Sequence, residues 1–179
     1  MIVRAATDAD IAAITAIYGH HVLTSTGTFE ETPPSEAEIA ARIAAATALR
    51  LPYLVSADET GAVTGFAYAS AFRPRPAYRY TAEDSVYIHP DHMGRGLGKA
   101  LVAQVIAACE ALGVRQMIAV IGDSANAGSI GLHRSLGFED AGVGRAFGFK
   151  FGRWVDVVWM QKTLGLGSDE LPNGQGLAL

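Results

Sequence analysis

The chain lacks the features that mark secreted, membrane-bound or disulfide-stabilised proteins. Its 179 residues include a single cysteine, Cys109, which has no partner for an internal disulfide. No apolar run reaches the roughly 18 residues that a membrane-spanning helix needs. The N-terminal stretch MIVRAATDAD lacks the basic and apolar regions of a signal peptide. These absences predict a protein of the reducing cytoplasm with no membrane partner.

Positive charge is also scarce. The chain has 14 lysines and arginines against 18 acidic residues, which gives a formal net charge of -4. Proteins that track nucleic-acid phosphates carry a basic surface instead. The stretch RPRPAYRY interleaves basic and aromatic residues as single-strand binders do. It is one short segment in an acidic protein, so we predict no nucleic-acid partner.

Histidines are present, but without the spacing of a metal site. The 5 histidines include the segment HPDH and the neighbouring pair His20 and His21. None belongs to a helical pair with an adjacent carboxylate of the kind that binds zinc. We therefore predict no metal.

The composition that remains is typical of one globular domain. Half of the residues are hydrophobic and 18% are charged, and a chain of this length can bury a sizeable core. The final segment GLGSDELPNGQGLAL is glycine-rich and aperiodic. We predict one domain over residues 1–164 and a flexible tail over residues 165–179.

The order of local patterns predicts the fold class. A short strand and two helices come first, each helix preceded by a capping box: Thr7 with Asp10, and Ser35 with Glu38. Three β-rich runs, YLVSAD, AVTGFAYASAF and DSVYIHP, follow as a meander. A helix, an apolar strand, a short helix and a last strand complete the chain. This order predicts an α+β protein with a mixed sheet and helices on both faces.

The stretch VYIHPDHMGRGLGKAL places Gly94, Gly96 and Gly98 between a strand and the start of a helix. Three glycines so close together indicate that the backbone approaches a ligand. Met93 and Ala100 stand where a Walker A loop has its first glycine and its Ser/Thr, and the third glycine of a Rossmann loop is absent. The remaining possibility is a loop whose free amides, at a helix N-terminus, hold a pyrophosphate.

VYIHP, GRGLGKAL and the later SIGLHRSLGF together resemble the GCN5-related N-acetyltransferase superfamily. The loop pattern of that family is Gln/Arg-x-x-Gly-x-Gly/Ala; Gly96 and Gly98 match it, and Met93 occupies the Gln/Arg position. FRPRPAYRYTAEDSVYI, GSIGLHRSLGF and FKFGRWVDVVWMQ are similar to its phosphinothricin and methionine sulfoximine acetyltransferase branch. The resemblance implies the acyl-CoA N-acyltransferase fold, with a mostly antiparallel sheet of about seven strands. It also implies acetyl-CoA as co-substrate, the α-amine of a small amino acid or analogue as acceptor, and a homodimer.

The resemblance implies a set of acetyl-CoA contacts around the glycine loop. Backbone groups of the strand before the loop would pair with the pantetheine amides as an added strand does. The same strand residues also have a plain role in the core, and Asn126 has one as a helix N-cap. The implied contacts are Val86, Tyr87, Ile88, Gly94, Arg95, Gly96, Leu97, Gly98, Lys99 and Asn126.

Amide formation from a thioester needs a neutral amine, whereas an α-amino group with a pKa of about 7.7–8.0 is mostly protonated at neutral pH. A base is therefore useful. The resemblance implies that Glu83, in TAEDSV, is this general base, directly or through water. It also implies that His133 lies near the CoA sulfur as a general acid or an orienting group. The residues alone leave open that Glu83 is a solvated carboxylate and that His133 only packs.

Arg73 and Arg75 flank Pro74 and form a stiff pair of cations suited to an anionic or strongly polar group. A basic surface loop is the other reading, and it is the commoner one for two arginines in a loop. Phe29 would wall the acceptor pocket and Lys150 would face it from the other subunit, although both also fit structural roles. The predicted acceptor contacts are Phe29, Arg73, Arg75, Glu83, Asp84, Ser85 and Lys150.

Two other functions are compatible with the same motifs. An acetyltransferase acting on a protein N-terminus or a polyamine would use the same donor site, and a non-catalytic acetyl-CoA-binding module would need no base. The arginine pair favours an acceptor with an anionic group over a polyamine.

Overall fold

A computed structural model describes residues 2–174 and 176–179. Within these residues one sheet contains seven strands: β1 (Ile2–Ala5), β2 (Tyr53–Ala57), β3 (Val63–Ala71), β4 (Thr81–Ile88), β5 (Gln116–Gly122), β6 (Glu139–Lys150) and β7 (Arg153–Thr163). The α-helices of the same residues are α1 (Ile11–Thr24), α2 (Glu36–Ala48), α3 (Leu97–Ala111) and α4 (Ala127–Ser135).

The strand order is β1-β2-β3-β4-β5-β7-β6, and every neighbouring pair is antiparallel except β4 with β5. Aromatic rings of Tyr53, Phe66 and Tyr87 form one face of the sheet, and Tyr18 of α1 packs edge-on against the last two. Helix α3 packs against β3 and β4 and belongs to the opposite face. The predicted α+β class, with a mostly antiparallel sheet between helices, is confirmed.

Both predicted capping boxes are present. Ser35 accepts a hydrogen bond from the Glu38 amide, and the Glu38 carboxylate accepts one from the Ser35 amide at 2.7 Å. Asp10 accepts from the Thr7 amide at 2.8 Å and also pairs with Arg4. The first box begins a short 3-10 turn (Asp8–Asp10) that leads directly into α1.

The pairing between β4 and β5 stops halfway along the strands. It extends from Thr81 with Gln116 to Asp84 with Ala119, and no further. Beyond that point β4 stays paired with β3, and β5 stays paired with β7. The two strands therefore separate and open a gap in the middle of the sheet.

Strand β6 was not indicated by its local pattern, because EDAGVGRAFGFK is glycine-rich and has no regular alternation. It is held by its long antiparallel pairing with β7. The two-residue connection, Phe151–Gly152, has positive φ at both positions (52° and 71°), as tight hairpin turns require. Lys150 and Arg153 therefore face each other at the tip of this hairpin.

The end of the chain contacts the β3–β4 loop. Leu177 is buried with the core, and its amide donates to the Arg79 carbonyl at 2.8 Å. The Tyr80 hydroxyl donates to the Gly174 carbonyl. Flexibility of residues 165–179 stays a prediction, and these contacts show where the segment attaches.

None of the helices in the described part of the chain has the length and apolar character needed to cross a membrane.

Candidate active site

The gap between β4 and β5 is a cleft of about 430 Å³. Its walls are the separated ends of the two strands, from Asp84 to Tyr87 on one side and from Ala119 to Gly122 on the other. The α1–α2 loop and the hairpin tip close one end, through Ser25, Thr26, Gly27, Phe151 and Arg153. The cleft thus lies where a parallel strand pair diverges, and backbone groups border it on both sides.

The glycine loop borders an adjoining cavity of about 410 Å³. Gly94 and Gly96 have φ of +74° and +78°, and an added Cβ at either position would meet nothing within 4 Å. Glycine is therefore needed there for its backbone conformation and not for space. At Gly98 an added Cβ would lie 2.6 Å from Leu132 Cδ1, so this glycine lets α3 approach α4.

The loop leads into the N-terminus of α3, as predicted. The first amide bonded within the helix is that of Ala100, which donates to the Gly96 carbonyl at 3.1 Å. The preceding amides lack carbonyl partners within the helix, as at any helix start. Arg95 and Lys99 are exposed beside them, whereas Leu97 is buried. Met93 is 63% exposed and lines both cavities.

Asn126 and His21 are among the residues that border both cavities. Asn126 caps α4 by accepting from the Ser129 amide at 3.1 Å, so its plain N-cap role and its position at the cleft are both realised. His21 Nε2 lies 2.8 Å from the Ile88 carbonyl. Because a carbonyl only accepts, His21 donates this bond, and the Ile88 oxygen already has a partner.

Glu83 lies on the α1 side of β4, in a smaller cavity of about 220 Å³. The wall consists of Tyr18, Thr26, Gly27, Thr28, Phe29, Tyr68, Ser85, Tyr87, Val120, Gly122 and Val157. Burial raises the pKa of the Glu83 carboxyl, the neighbouring Asp84 adds to the rise, and Arg73 opposes it. Glu83 is therefore a half-buried strand residue that binds protons more readily than a solvated carboxylate does.

Asp84 points to the opposite face of β4 and pairs with His133 of α4. His133 Nε2 lies 3.0 Å from Asp84 Oδ2, and His133 Nδ1 lies 2.8 Å from the Ser129 carbonyl oxygen. The side chains of Asp84 and His133 are 0% and 4% exposed. Asp84 Oδ1, also buried, has no hydrogen-bond partner among the described residues.

The partners of His133 determine its protonation state. A carboxylate and a carbonyl both only accept, so each ring nitrogen must donate a proton. Burial alone would lower the pKa of His133, but the hydrogen bond and charge of Asp84, with the Ser129 carbonyl, raise it overall. The two contacts therefore favour the protonated ring, in which both N–H groups are engaged.

The other predicted acceptor contacts divide into two groups. Phe29 and Ser85 line the Glu83 cavity. Arg73 and Arg75 lie exposed on the β3–β4 loop and do not line it, although Arg73 is close enough to lower the pKa of Glu83. Lys150 is buried, and its ammonium donates to carbonyls of its own chain's α1–α2 loop.

Sequence reasoning missed several residues of the cavity wall. The sequence indicated no functional role for Tyr18, yet its hydroxyl reaches Thr28 and Glu30 at 2.9 Å each. Tyr68 was visible only as part of a β-rich run. Thr26 and Thr28 belong to a loop without regular pattern, so no sequence signal could have placed them beside Glu83.

A strand gap next to a glycine loop at a helix start defines a protein that holds an extended, phosphate-bearing ligand across the sheet. Residues 15–138 match the model of the acetyltransferase (GNAT) family. The chain belongs to this family and is an N-acetyltransferase.

Relatives with assigned activities agree with this family. A phosphinothricin N-acetyltransferase from Alcaligenes faecalis is 53% identical over 170 residues, covering 95% of this chain and 86% of that protein. An L-methionine sulfoximine/L-methionine sulfone acetyltransferase from Salmonella typhimurium is 42% identical over 164 residues, covering 92% and 95%. These are the branches that the sequence predicted.

A solved structure matches along nearly the whole chain. It is the crystal structure of a GNAT superfamily phosphinothricin acetyltransferase from Sinorhizobium meliloti in complex with acetyl-CoA. Its TM-score is 0.94 at 51% identity, with 99% of this chain and 95% of that chain covered. Within residues 2–174 and 176–179, no group of three His, Cys, Asp or Glu side chains is arranged to hold a metal ion.

Proposed function

We propose that the protein transfers the acetyl group of acetyl-CoA to the α-amine of a small amino acid or analogue of the methionine sulfoximine, methionine sulfone or phosphinothricin type. The observation that carries this proposal is the cavity of about 220 Å³ around Glu83. It shares Ser85, Tyr87, Val120 and Gly122 with the β4–β5 cleft, so an acceptor bound in it meets a donor bound in the cleft. The cavity suits a small polar molecule better than a peptide or a polyamine.

Acetyl-CoA is the acetyl donor, and the chain offers it three kinds of group. The amides at the start of α3, within residues 94–99, would bind the pyrophosphate, with Arg95 and Lys99 beside them. Val86 and Tyr87, in the half of β4 that does not pair with β5, would pair with the pantetheine amides. Asn126 borders the same path. The Ile88 carbonyl already accepts a hydrogen bond from His21, and Ile88 also lines the glycine-loop cavity.

Glu83 would act as the general base. The amine nitrogen attacks the thioester carbonyl, its proton passes to Glu83 directly or through water, and the C–S bond breaks to release the CoA thiolate. His133 would orient the site and not shuttle a proton, because both of its N–H groups are engaged by Asp84 and Ser129. Asp84 would thus act through His133 and not touch the acceptor.

Arg73 and Arg75 would attract an acceptor with an anionic group towards the cavity mouth. Their exposure on the β3–β4 loop suits steering and rim contacts. Phe29 and Ser85 would contact the bound acceptor, since both line the cavity.

A homodimer is part of the same proposal. Phe147, Phe149, Phe151 and Trp154 are each more than half exposed along the β6–β7 hairpin. Contiguous exposed aromatic side chains are uncommon on a monomer and typical of interfaces. Light scattering tests this: a mass near twice 18.8 kDa supports the dimer, and a mass of 18.8 kDa contradicts it.

Release of free CoA thiol from acetyl-CoA tests the function. Methionine sulfoximine, methionine sulfone and phosphinothricin should each stimulate release, whereas spermidine and a peptide with a free N-terminus should not. If none of these amines stimulates the release of CoA, the protein is a non-catalytic acetyl-CoA-binding module. Preference for spermidine or the peptide would replace the proposed acceptor class.

We expect Gly96→Ala to weaken acetyl-CoA binding. A Cβ at φ +78° is strained although the space is free, and relief of this strain would turn the amides away from the pyrophosphate. The dissociation constant should rise by about tenfold, which corresponds to the cost of about 1–2 kcal/mol for a side chain in this conformation. Calorimetric titration measures it.

Gly61→Ala is the matched control. Gly61 has φ +87° and equally free space, but it lies in the β2–β3 turn and lines neither cavity. It should lose similar stability and keep its affinity. Equal affinities for both variants would contradict a role of the Gly96 conformation in donor binding.

A further inference from the structure

The tip of the β6–β7 hairpin carries a lysine that is bonded to the α1–α2 loop. Lys150, the last residue of β6, is 2% exposed. Its ammonium donates to the Thr28 carbonyl at 2.7 Å and to the Ser25 carbonyl at 2.9 Å. The Phe151 ring lies 4.9 Å from the same nitrogen, within the range of a cation–π contact. The Ser25 and Thr28 carbonyls of this irregular loop thus share one buried ammonium as a hydrogen-bond donor.

A second cation at the tip reaches the same loop indirectly. Arg153, the first residue of β7, forms an ion pair with Asp123 at the end of β5. The other donors to Asp123 are the Ala125 amide at 3.0 Å and the Thr26 hydroxyl at 3.3 Å. The loop is therefore attached at Ser25 and Thr28 through Lys150, and at Thr26 through Asp123 and Arg153.

Two glycines let the loop lie directly on the sheet. An added Cβ at Gly122 would lie 1.9 Å from the Thr26 carbonyl oxygen. An added Cβ at Gly148 would lie 2.7 Å from the Phe29 ring. Since β5 and β6 each present a glycine under the loop, the contacts at the hairpin tip hold it against a surface shaped to receive it.

The loop forms a wall of both substrate cavities. Thr26 and Gly27 line the β4–β5 cleft, and Thr26, Gly27, Thr28 and Phe29 line the Glu83 cavity. A displacement of this segment would change the width of the acceptor cavity before it changed the glycine loop, which lies on the other side of the cleft.

We propose that Lys150, assisted by Arg153, is a positioning residue that clamps residues 25–29 in place and thereby determines which acceptors fit beside Glu83. The inference rests on the proposed function for its acceptor, but the clamp itself does not depend on it. An ammonium suits this position because it donates to two carbonyls at once, whereas an apolar side chain of equal length would leave both unpaired.

Kinetics of Lys150→Met, compared with Lys150→Arg, test the proposal. We expect Lys150→Met to raise the KM for methionine sulfoximine by about tenfold, with a smaller change in kcat and an acetyl-CoA KM near that of the parent. Its preference for methionine sulfoximine over the bulkier phenylalanine should narrow. Lys150→Arg keeps donors to the loop and should recover part of the loss.

Arg145→Met is the matched control, because Arg145 lies on the same strand and is highly exposed. It should leave both KM values, kcat and the acceptor preference unchanged. The proposal is overturned if Lys150→Met raises the KM for methionine sulfoximine and the KM for acetyl-CoA equally and leaves the acceptor preference unchanged. Lys150 would then only stabilise the fold.

Amide hydrogen exchange tests the clamp without any substrate. In Lys150→Met the amides of residues 25–31 should exchange at least about tenfold faster, while β5 and α3 keep their protection. Exchange that is unchanged in the loop, or faster everywhere, would overturn the clamp. If the loop is released but no amino-acid analogue is acetylated, the clamp stands and only the proposed acceptor fails.

Discussion

Glu83→Gln should lower kcat by about 10²–10⁴-fold, the contribution typical of a positioned base, and leave the acetyl-CoA KM near that of the parent. The substitution removes the proton acceptor but keeps the shape of the side chain. Since the carboxyl lies in the acceptor cavity and outside the lining of the glycine-loop cavity, donor binding has no direct dependence on it.

The pH dependence gives a second measurement on the same variant. Burial and Asp84 raise the pKa of Glu83, and a base must be deprotonated to act. Activity of the parent should therefore fall, as pH is lowered, at a higher pH than an ordinary glutamate would produce, and the variant should lose this acid limb.

Glu59→Gln is the control, because Glu59 is exposed in the β2–β3 turn. A Glu83→Gln enzyme with parental kcat and an unchanged pH profile would remove Glu83 from the base role.

Asp84→Asn should destabilise the folded protein by about 3–5 kcal/mol at pH values below the ordinary histidine pKa, the usual cost of breaking a buried ion pair. Both side chains are buried, so water cannot compensate His133 for the lost carboxylate. Asparagine keeps the volume, and the loss therefore measures charge and not a cavity.

The sign of the pH effect follows from the raised pKa of His133. Its proton stabilises the fold fully below the ordinary pKa of about 6.5, and this contribution is lost as pH rises through the raised value. The difference between parent and Asp84→Asn should therefore shrink at alkaline pH, because the variant then buries a neutral ring.

Urea denaturation at about pH 6 and about pH 9, on either side of the histidine titration, measures the difference. His133→Gln should abolish the pH dependence. A loss that is the same at both pH values, or no loss, would contradict an imidazolium at this position.

Features that depend on neighbours in the chain were predictable from sequence. The capping boxes of Thr7 with Asp10 and Ser35 with Glu38 act across three residues, and the glycine loop acts through its own backbone. The strand and helix on either side of that loop follow from short apolar patterns. These local features were sufficient for the fold class and for placing the glycine loop at the start of a helix.

The acceptor side was less predictable because distant residues form it. Lys150 and Thr28, for example, are 122 positions apart. No spacing rule links such pairs. Strand β6 escaped prediction for a related reason: its glycines give it little intrinsic preference for a strand, and its strand pairing is with β7, which follows it in the chain.

The incomplete pairing of β4 with β5 also affects the stability of the protein. Four residue pairs join β4 to β5 across this seam, so an occupant of the gap would add contacts between the two halves of the sheet. Acetyl-CoA in the gap would bind the folded chain and not the unfolded one, and mass action would then raise the free energy of unfolding with its concentration. The co-substrate would thus be a reagent in catalysis and also a reversible ligand that stabilises the sheet where β4 and β5 separate.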